Sequence, residues 1–200
     1  MSLLYERSDL AYLLLTEAVE AVATQIIDAT AAAKAIAPSP PGDYQRRAAE
    51  LGVTAEHARE LYFFGEAKKR GPTYQFRAFL QKFTPQRFWR DEDDVFHFHR
   101  YRGMQPKAEK FDKTVRLTYS ARSDFVHAGT PYPGAIRMGL GNMVDARAAD
   151  DALAQALEGG TRMPPFVWFE RLAQSAILES LRQTAQNASP AAGISGKEGQ

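Results

Sequence analysis

Arg122 and His127 stand in the segment YSARSDFVHAG (119–129), directly before the breaker-rich run GTPYPG. A guanidinium can hold a phosphate through two parallel hydrogen bonds, and an imidazole can exchange a proton near neutral pH. These two groups are the ones that metal-free cleavage of RNA needs. The histidine would act at the ribose 2′-hydroxyl or the leaving oxygen, and the arginine would stabilise the charged transition state.

The spacing of the two residues limits how they can work together. On an ideal helix, residues five apart are separated by roughly 140° of rotation and about 7.5 Å of rise, so Arg122 and His127 do not share a face. They converge only if the helix loosens at His127, which Gly129 and Pro131 would allow, or if a second copy of the chain completes the site. The pair alone also fits a surface arginine beside a histidine that interacts with the carbonyl end of a helix.

The residues around the pair carry a family resemblance. LTYSARSDFVHAG resembles the signature segment of HEPN domains (higher eukaryotes and prokaryotes nucleotide-binding), especially the Apea-like branch, with its tyrosine, Arg-Ser pair and Val-His pair followed by a small residue. Residues 11–23 are similar to the first long helix of that family and place Glu20 at its acidic position. Residues 45–61 resemble the helices that usually come between.

The resemblance implies a compact helical domain, usually a homodimer, in which the arginine and histidine of both protomers face one cleft. Many such domains are metal-independent endoribonucleases of toxin–antitoxin, anti-phage or RNA-processing systems, and others only bind RNA, nucleotides or protein. It therefore implies RNA and an antitoxin or defence-system protein as partners, and no cofactor or metal. Arg122 and His127 would be catalytic, supported by Tyr119, Ser123, Asp124 and Glu20. Gly129 stands where the toxin branch silenced by nucleotide transfer has a tyrosine, so that regulation is not expected.

A second stretch, residues 66–90, combines positive charge with aromatic rings. It contains seven basic residues against the single acid Glu66, interleaved with six aromatic residues. Cations for phosphates and rings for unstacked bases are what single-stranded nucleic acid requires. The ordinary alternative is that the aromatics at 76, 79 and 83, which have helical spacing, form core. The predicted RNA-binding residues are Lys68, Lys69, Arg70, Tyr74, Arg77, Arg87 and Arg90.

Two other stretches allow different functions. Residues 45–62 fit a helix-turn-helix for DNA, with Ala48 where the helices cross, Gly52 in the turn and Ala58 and Leu61 packing the second helix. Two core helices joined by a glycine turn are the favoured explanation, because this motif has many false matches. In DEDDVFHFHR (91–100), four acids and an H-x-H pair could bind a divalent metal, but an acidic loop after a basic segment is more often a salt partner.

Periodicity and breakers predict an all-α fold, a bundle of about four to six helices. One long, mostly buried helix is expected over 8–36, with an apolar repeat through Leu10, Leu14, Ala18, Ala21, Val22 and Ile26. Further helices are expected at 43–52, from the N-cap Thr54 to about 69, from about 106 to 128, at 145–158 and from 164 to about 182. Residues 1–187 form one domain, 66–106 are a probable insert, and 188–200 are a disordered tail.

Composition restricts the setting. Lys and Arg total 25 against 24 Asp and Glu, so no overall field favours a polyanion and any charge argument must be local. No cysteine occurs, which removes disulfides and thiolate chemistry. Since no export signal and no apolar run of roughly 20 residues is visible, a cytoplasmic location and no membrane partner are expected.

Overall fold

A computed structural model of the chain describes residues 8–89, 108–130, 132, 164 and 166–188. Every regular element in those ranges is helical, which confirms the all-α prediction. Two 3₁₀ turns, Gln86–Trp89 and Ala108–Lys110, accompany the α-helices. The six α-helices are α1 (Ser8–Ile26), α2 (Ala29–Ile36), α3 (Gly42–Glu50), α4 (Ala55–Phe83), α5 (Phe111–Ala128) and α6 (Phe166–Ala188).

The predicted single helix over 8–36 is wrong, because the chain bends by 105° between α1 and α2. Asp28 has extended backbone angles at the break, and its carboxylate accepts a hydrogen bond of 2.7 Å from the backbone N–H of Ala31. Aspartate at such a position is a favourable N-cap, since it satisfies a donor that the first helical turn leaves open. Residues 8–36 contain no glycine or proline, but a second helix still begins after Asp28.

The prediction of Thr54 as an N-cap is confirmed, since its hydroxyl accepts a hydrogen bond from the N–H of His57. α4 then continues past the predicted stop to Phe83, with a kink at Arg70, whose backbone angles are not helical. Pro72 explains the kink, because proline has no N–H to donate and its ring crowds the preceding turn. α2 passes close to the kink, since a Cβ at Gly71 would be in van der Waals contact with the Cβ of Ala29, 3.4 Å away.

The main core is built by four helices and is rich in aromatic side chains. The second half of α4 contributes Phe76, Phe79 and Leu80, all fully buried, against α1, α5 and α6. Tyr12 of α1 stacks on Phe169 of α6 with ring centroids 5.0 Å apart. A smaller cluster joins α2 to Tyr74 of α4, whereas α3 buries no side chain.

The buried face of α1 differs from the predicted one. Leu10 is 37% exposed, Leu14 51% and Ile26 39%, and Ala18 and Ala21 are exposed as well. Of the predicted repeat, only Val22 packs against the core. The core face instead carries Tyr12, Thr16, Val19 and Ala23. Thr16 can be buried because its hydroxyl donates to the carbonyl of Tyr12 at 2.8 Å, one turn earlier on the same helix. An apolar pattern does not predict such a residue to be buried, because threonine counts as polar even when its hydroxyl is hydrogen-bonded within its own helix.

Residues 66–83 of the predicted insert are part of α4 and supply core side chains, so this part of the segment is integral to the bundle. The rest of the insert from residue 90 to 106, the predicted helix at 145–158 and the tail beyond Ala188 lie outside the described residues. The predicted helices ending at 128 and 182 correspond to α5 and to α6, which extends one and a half turns further.

No single helix in the described ranges has the length and apolarity needed to cross a bilayer. α1 and α2 pass that test only when taken together, across their 105° bend and by length and composition alone.

The position of Phe79 predicts a large difference between two substitutions on α4. Phe79→Ala should lower the free energy of unfolding by about 3 to 5 kcal/mol, because it leaves a cavity in a fully buried aromatic cluster. Leu61→Ala, on the 52% exposed side chain of the same helix, should change it by less than about 0.5 kcal/mol. Urea denaturation measures both, and comparable losses for the two variants would contradict this core.

Candidate functional site

Arg122 is held against α1 by two carboxylates. Its Nε and Nη2 atoms donate to the same oxygen of Glu17, at 2.7 and 2.5 Å, and Nη2 lies 3.5 Å from Oε2 of Glu20. The Arg122 side chain is only 15% exposed. Partial burial lowers its pKa, but the hydrogen bond to Glu17 and the two negative charges outweigh that effect and raise the pKa overall. Arg122 is therefore a fixed cation joining α5 to α1.

Tyr119 lies beneath this ion pair. Its ring packs on Phe76 with centroids 5.2 Å apart, and the guanidinium carbon of Arg122 lies 5.6 Å above the ring centre. Burial raises the pKa of the Tyr119 hydroxyl to about 12, and hydrogen bonding to Glu20 together with its charge adds to that increase. Of the predicted supporting residues, Tyr119 and Glu20 thus meet Arg122 directly, although about 100 positions separate Glu20 from the others in sequence.

His127 is exposed in the last turn of α5. α5 remains helical through Ala128, and Gly129 caps it with a φ of 64°, a left-handed conformation that glycine adopts without strain. The N–H groups of Gly129 and Thr130 both donate to the carbonyl of Asp124, as at a regular helix end. The loosening that would bring His127 round to Arg122 therefore does not occur, and within one chain the two residues remain on different faces.

The chain after this cap returns to the core. Tyr132 is 2% exposed, stacks on Phe125 of α5 at 5.1 Å and packs against Tyr12 of α1 at 5.2 Å. The breaker run thus anchors the end of α5 by aromatic contacts. Of the remaining predicted supporting residues, Ser123 is half-buried and Asp124 is exposed.

Glu17 is the site residue that sequence reasoning did not identify. It takes the shortest contacts to Arg122 and is 42% exposed at its side chain, compared with 18% for Glu20. Its signal was the three-residue spacing from Glu20, which places both carboxylates on neighbouring positions of one helix face. With Glu17 included, the cluster holds two negative charges and one positive charge, so a phosphate approaching Arg122 must compete with a carboxylate.

The predicted RNA-binding residues are divided by the fold. Lys68, Lys69 and Arg70 are exposed at the kink of α4. Tyr74 is only 3% exposed and donates a 2.7 Å hydrogen bond to Glu66, so its ring is not available to stack on a base. Burial, followed by the hydrogen bond and charge of Glu66, raises the pKa of Tyr74 to about 12.

The other basic residues of the segment have separate surroundings. Arg77 donates through Nε and Nη2 to one oxygen of Asp112, at 3.1 and 2.6 Å, and this pair ties α4 to the first turn of α5. Arg87 is exposed on the 3₁₀ turn that follows α4, and Arg90 lies outside the described residues. Phe76, Phe79 and Phe83 are buried, so the ordinary interpretation of the aromatic spacing is confirmed for them.

The helix-turn-helix interpretation finds its two helices and a glycine turn, with Gly52 at a φ of 73°. Ala58 is buried as expected, but Leu61 is half exposed and does not pack the pair. Tyr44 and Tyr62 join the two helices instead, with centroids 5.4 Å apart. The exposed face of the second helix includes Glu56 and Glu60, which would meet the phosphates of a duplex with negative charge.

The possible metal ligands at 91–100, including His97 and His99, lie outside the described residues. Within the ranges that are described, no group of three or more histidine, aspartate or glutamate side chains is arranged to hold a metal ion.

Comparison of the chain with protein-family models, with curated proteins and with solved structures finds no match.

The environment of Tyr119 predicts a dependence of stability on pH. Since its pKa is raised from 10.0 to about 12 in the fold, its contribution is complete below pH 10 and is lost as the pH rises toward 12, because the unfolded chain ionises first. Tyr119→Phe removes that loss, which we expect to be on the order of 1 kcal/mol at pH 11.

Urea denaturation of parent and Tyr119→Phe at several values between pH 8 and 11 measures the effect. Ser120→Ala, an exposed change one position away, serves as the control and should follow the parent. Equal slopes for the parent and Tyr119→Phe would show that burial and the neighbouring Glu20 do not hold the hydroxyl in its neutral form.

Proposed function

We propose that the protein is a HEPN-like, metal-independent endoribonuclease that acts on single-stranded RNA as a homodimer. The observation that carries the proposal is the meeting of Glu20, Tyr119 and Arg122, three positions that the resemblance singles out from distant parts of the chain. An arginine oriented by carboxylates and an exposed histidine one turn and a half away supply a phosphate ligand and a proton-transfer group.

In this mechanism, His127 removes the proton from a ribose 2′-hydroxyl, and the freed oxygen attacks the adjacent phosphorus. The bond from phosphorus to the 5′ oxygen breaks, and that oxygen leaves with the proton that His127 had taken up, which returns the imidazole to its neutral form. The products are a 2′,3′-cyclic phosphate and a 5′-hydroxyl, so no water is consumed in the cleavage step. Arg122 stabilises the negative charge that builds up on the non-bridging phosphate oxygens.

The phosphate would approach Arg122 on one side of its guanidinium. Nε and Nη2 donate to Glu17, whereas Nη1 forms no hydrogen bond with any of the residues that the structure describes. A guanidinium has five N–H donors, so this edge retains capacity for a phosphate oxygen. Glu17 and Glu20 then orient the cation, as partners behind a ligand commonly do.

The same geometry supports a homodimer. Because α5 is regular up to its glycine cap, Arg122 and His127 of one chain face different directions, and an active cleft needs the His127 of a second copy. The proposed active form is a dimer of two identical chains, and we propose that it acts in the cytoplasm. Its partners would be RNA and, in a toxin or defence system, an inhibiting protein.

A second function, a catalytically silent HEPN-like module that binds RNA, nucleotides or protein, is favoured by one observation. The guanidinium of Arg122 is already engaged by two carboxylates. In that case the ion pair serves mainly to join α1 and α5, and His127 only completes a helix end.

Cleavage of RNA in the presence of EDTA tests the mechanism. The purified chain should cut single-stranded RNA and leave 2′,3′-cyclic phosphate ends, and His127→Ala should reduce the rate by about 10²- to 10⁴-fold, the range expected for a general acid or base. His57→Ala, which removes an exposed histidine of α4, should retain the parent rate. Cleavage by His127→Ala at the parent rate excludes the mechanism, and binding without cleavage by the parent selects the silent module.

Mixing two inactive variants tests the shared cleft. A dimer of one Arg122→Ala chain and one His127→Ala chain retains one intact pair if each cleft takes its arginine and histidine from different copies. Co-refolded mixtures should then recover about a quarter of the parental activity, since half of randomly formed dimers are mixed and each has one working cleft. No recovery, with mixed dimers shown by native mass spectrometry, would contradict a cleft shared in this way.

A further inference from the structure

The kink of α4 carries four exposed side chains, Phe64, Lys68, Lys69 and Arg70, which we call the kink surface. Phe64 and Lys68, four residues apart, share one face of the helix, and Lys69 and Arg70 lie further round it toward the kink. The Phe64 side chain is 50% exposed, although most large aromatic residues of α4 are buried. The ammonium of Lys68, one helical turn later, lies 4.8 Å from the centre of its ring. An apolar ring and a cation thus lie on the same side of one helix.

The charge of the kink surface is not balanced locally. Lys68, Lys69 and Arg70 are exposed, and none of them forms an ion pair with a residue in the described ranges. The acid nearest in sequence, Glu66, is half-buried and accepts a 2.7 Å hydrogen bond from the buried Tyr74, whose hydroxyl also lies near Arg70, so one carboxylate stands against three cations. Three cations therefore face solvent within three consecutive positions.

Helix electrostatics explains part of this arrangement. Pro72 has no N–H to donate to the carbonyl of Lys68, so the first half of α4 ends at the kink as a helix C-terminus with open carbonyl groups. Cations stabilise such an end. That effect explains why two lysines and an arginine occur here. It does not explain why Phe64, one helical turn earlier, leaves half of its side chain exposed.

The geometry points to the kink surface as a binding site for unpaired nucleic acid, in which a base stacks on Phe64 and the adjoining phosphates contact Lys68, Lys69 and Arg70. A base that covers the ring takes the place of the Lys68 ammonium, whose flexible stem then reaches a neighbouring phosphate. An acidic peptide would satisfy the cations but would leave the ring exposed. The choice of RNA as the natural ligand rests on the proposed function.

Oligonucleotides with and without bases test this site on the full chain. In a His127→Ala background, which prevents cleavage, fluorescence anisotropy compares a 12-nucleotide oligouridine with an abasic oligomer of the same length. Phe64→Ala should weaken binding of the oligouridine by about five- to tenfold and of the abasic oligomer by less than about twofold. Phe64→Trp should retain the parental affinity, since it preserves the stacking face.

Two further variants distinguish the contribution of the Phe64 ring to binding from that of the lysine charges. Leu61→Ala removes an equally exposed apolar side chain from the same helix and should leave both affinities unchanged. Lys68→Ala with Lys69→Ala should weaken both ligands and reduce the slope of log affinity against log salt by about one to two.

The site is excluded if Phe64→Ala binds oligouridine as the parent does, or loses the abasic oligomer equally. A polyglutamate peptide that competes with oligouridine for the parent but not for Phe64→Ala would also overturn the assignment, in favour of a protein ligand. Cleavage is measured separately on chains that retain His127. Binding that depends on Phe64 without any cleavage supports the kink surface and rejects the ribonuclease, whereas cleavage that is independent of Phe64 does the reverse.

Discussion

The ion pair between Arg122 of α5 and the carboxylates of Glu17 and Glu20 determines how the rest of the site can be used. It turns the arginine side of α5 toward α1 and buries most of the guanidinium. Since α5 is an uninterrupted helix up to Gly129, His127 must then face away from that contact. The helix geometry separates the arginine from the histidine, and the contact with α1 decides that the arginine is the one facing the neighbouring helix.

The same contact has opposing consequences for chemistry. Two carboxylates orient the guanidinium and keep it charged, which is favourable for a phosphate ligand that must not move. They also leave the cluster with an excess of negative charge, which an incoming phosphate meets as repulsion. An active site and a purely structural anchor differ here in one respect. In an active site, the Nη1 edge of Arg122, which forms no hydrogen bond within the described ranges, and the His127 of a second copy meet at a substrate.

The kink of α4 separates the basic, aromatic segment into two parts with different physical roles. Beyond Pro72, the rings of Phe76 and Phe79 are removed from water and form the core, while Arg77 bonds to Asp112. Before the kink, three cations and the ring of Phe64 remain at the surface. Composition alone describes both parts in the same way, because it does not show which side of a bent helix faces the other helices.

Local patterns were sufficient to predict the helical class, the N-cap at Thr54 and the helix that contains Arg122 and His127. Such features depend on neighbours within one or two turns, which a sequence shows directly. Tertiary contacts decided the buried face of α1, the burial of Tyr74 and the ion pair of Glu17 with Arg122. Each of those depends on packing between residues far apart in the chain, where a hydroxyl such as that of Thr16 can be satisfied internally and a leucine such as Leu14 can be left at the surface.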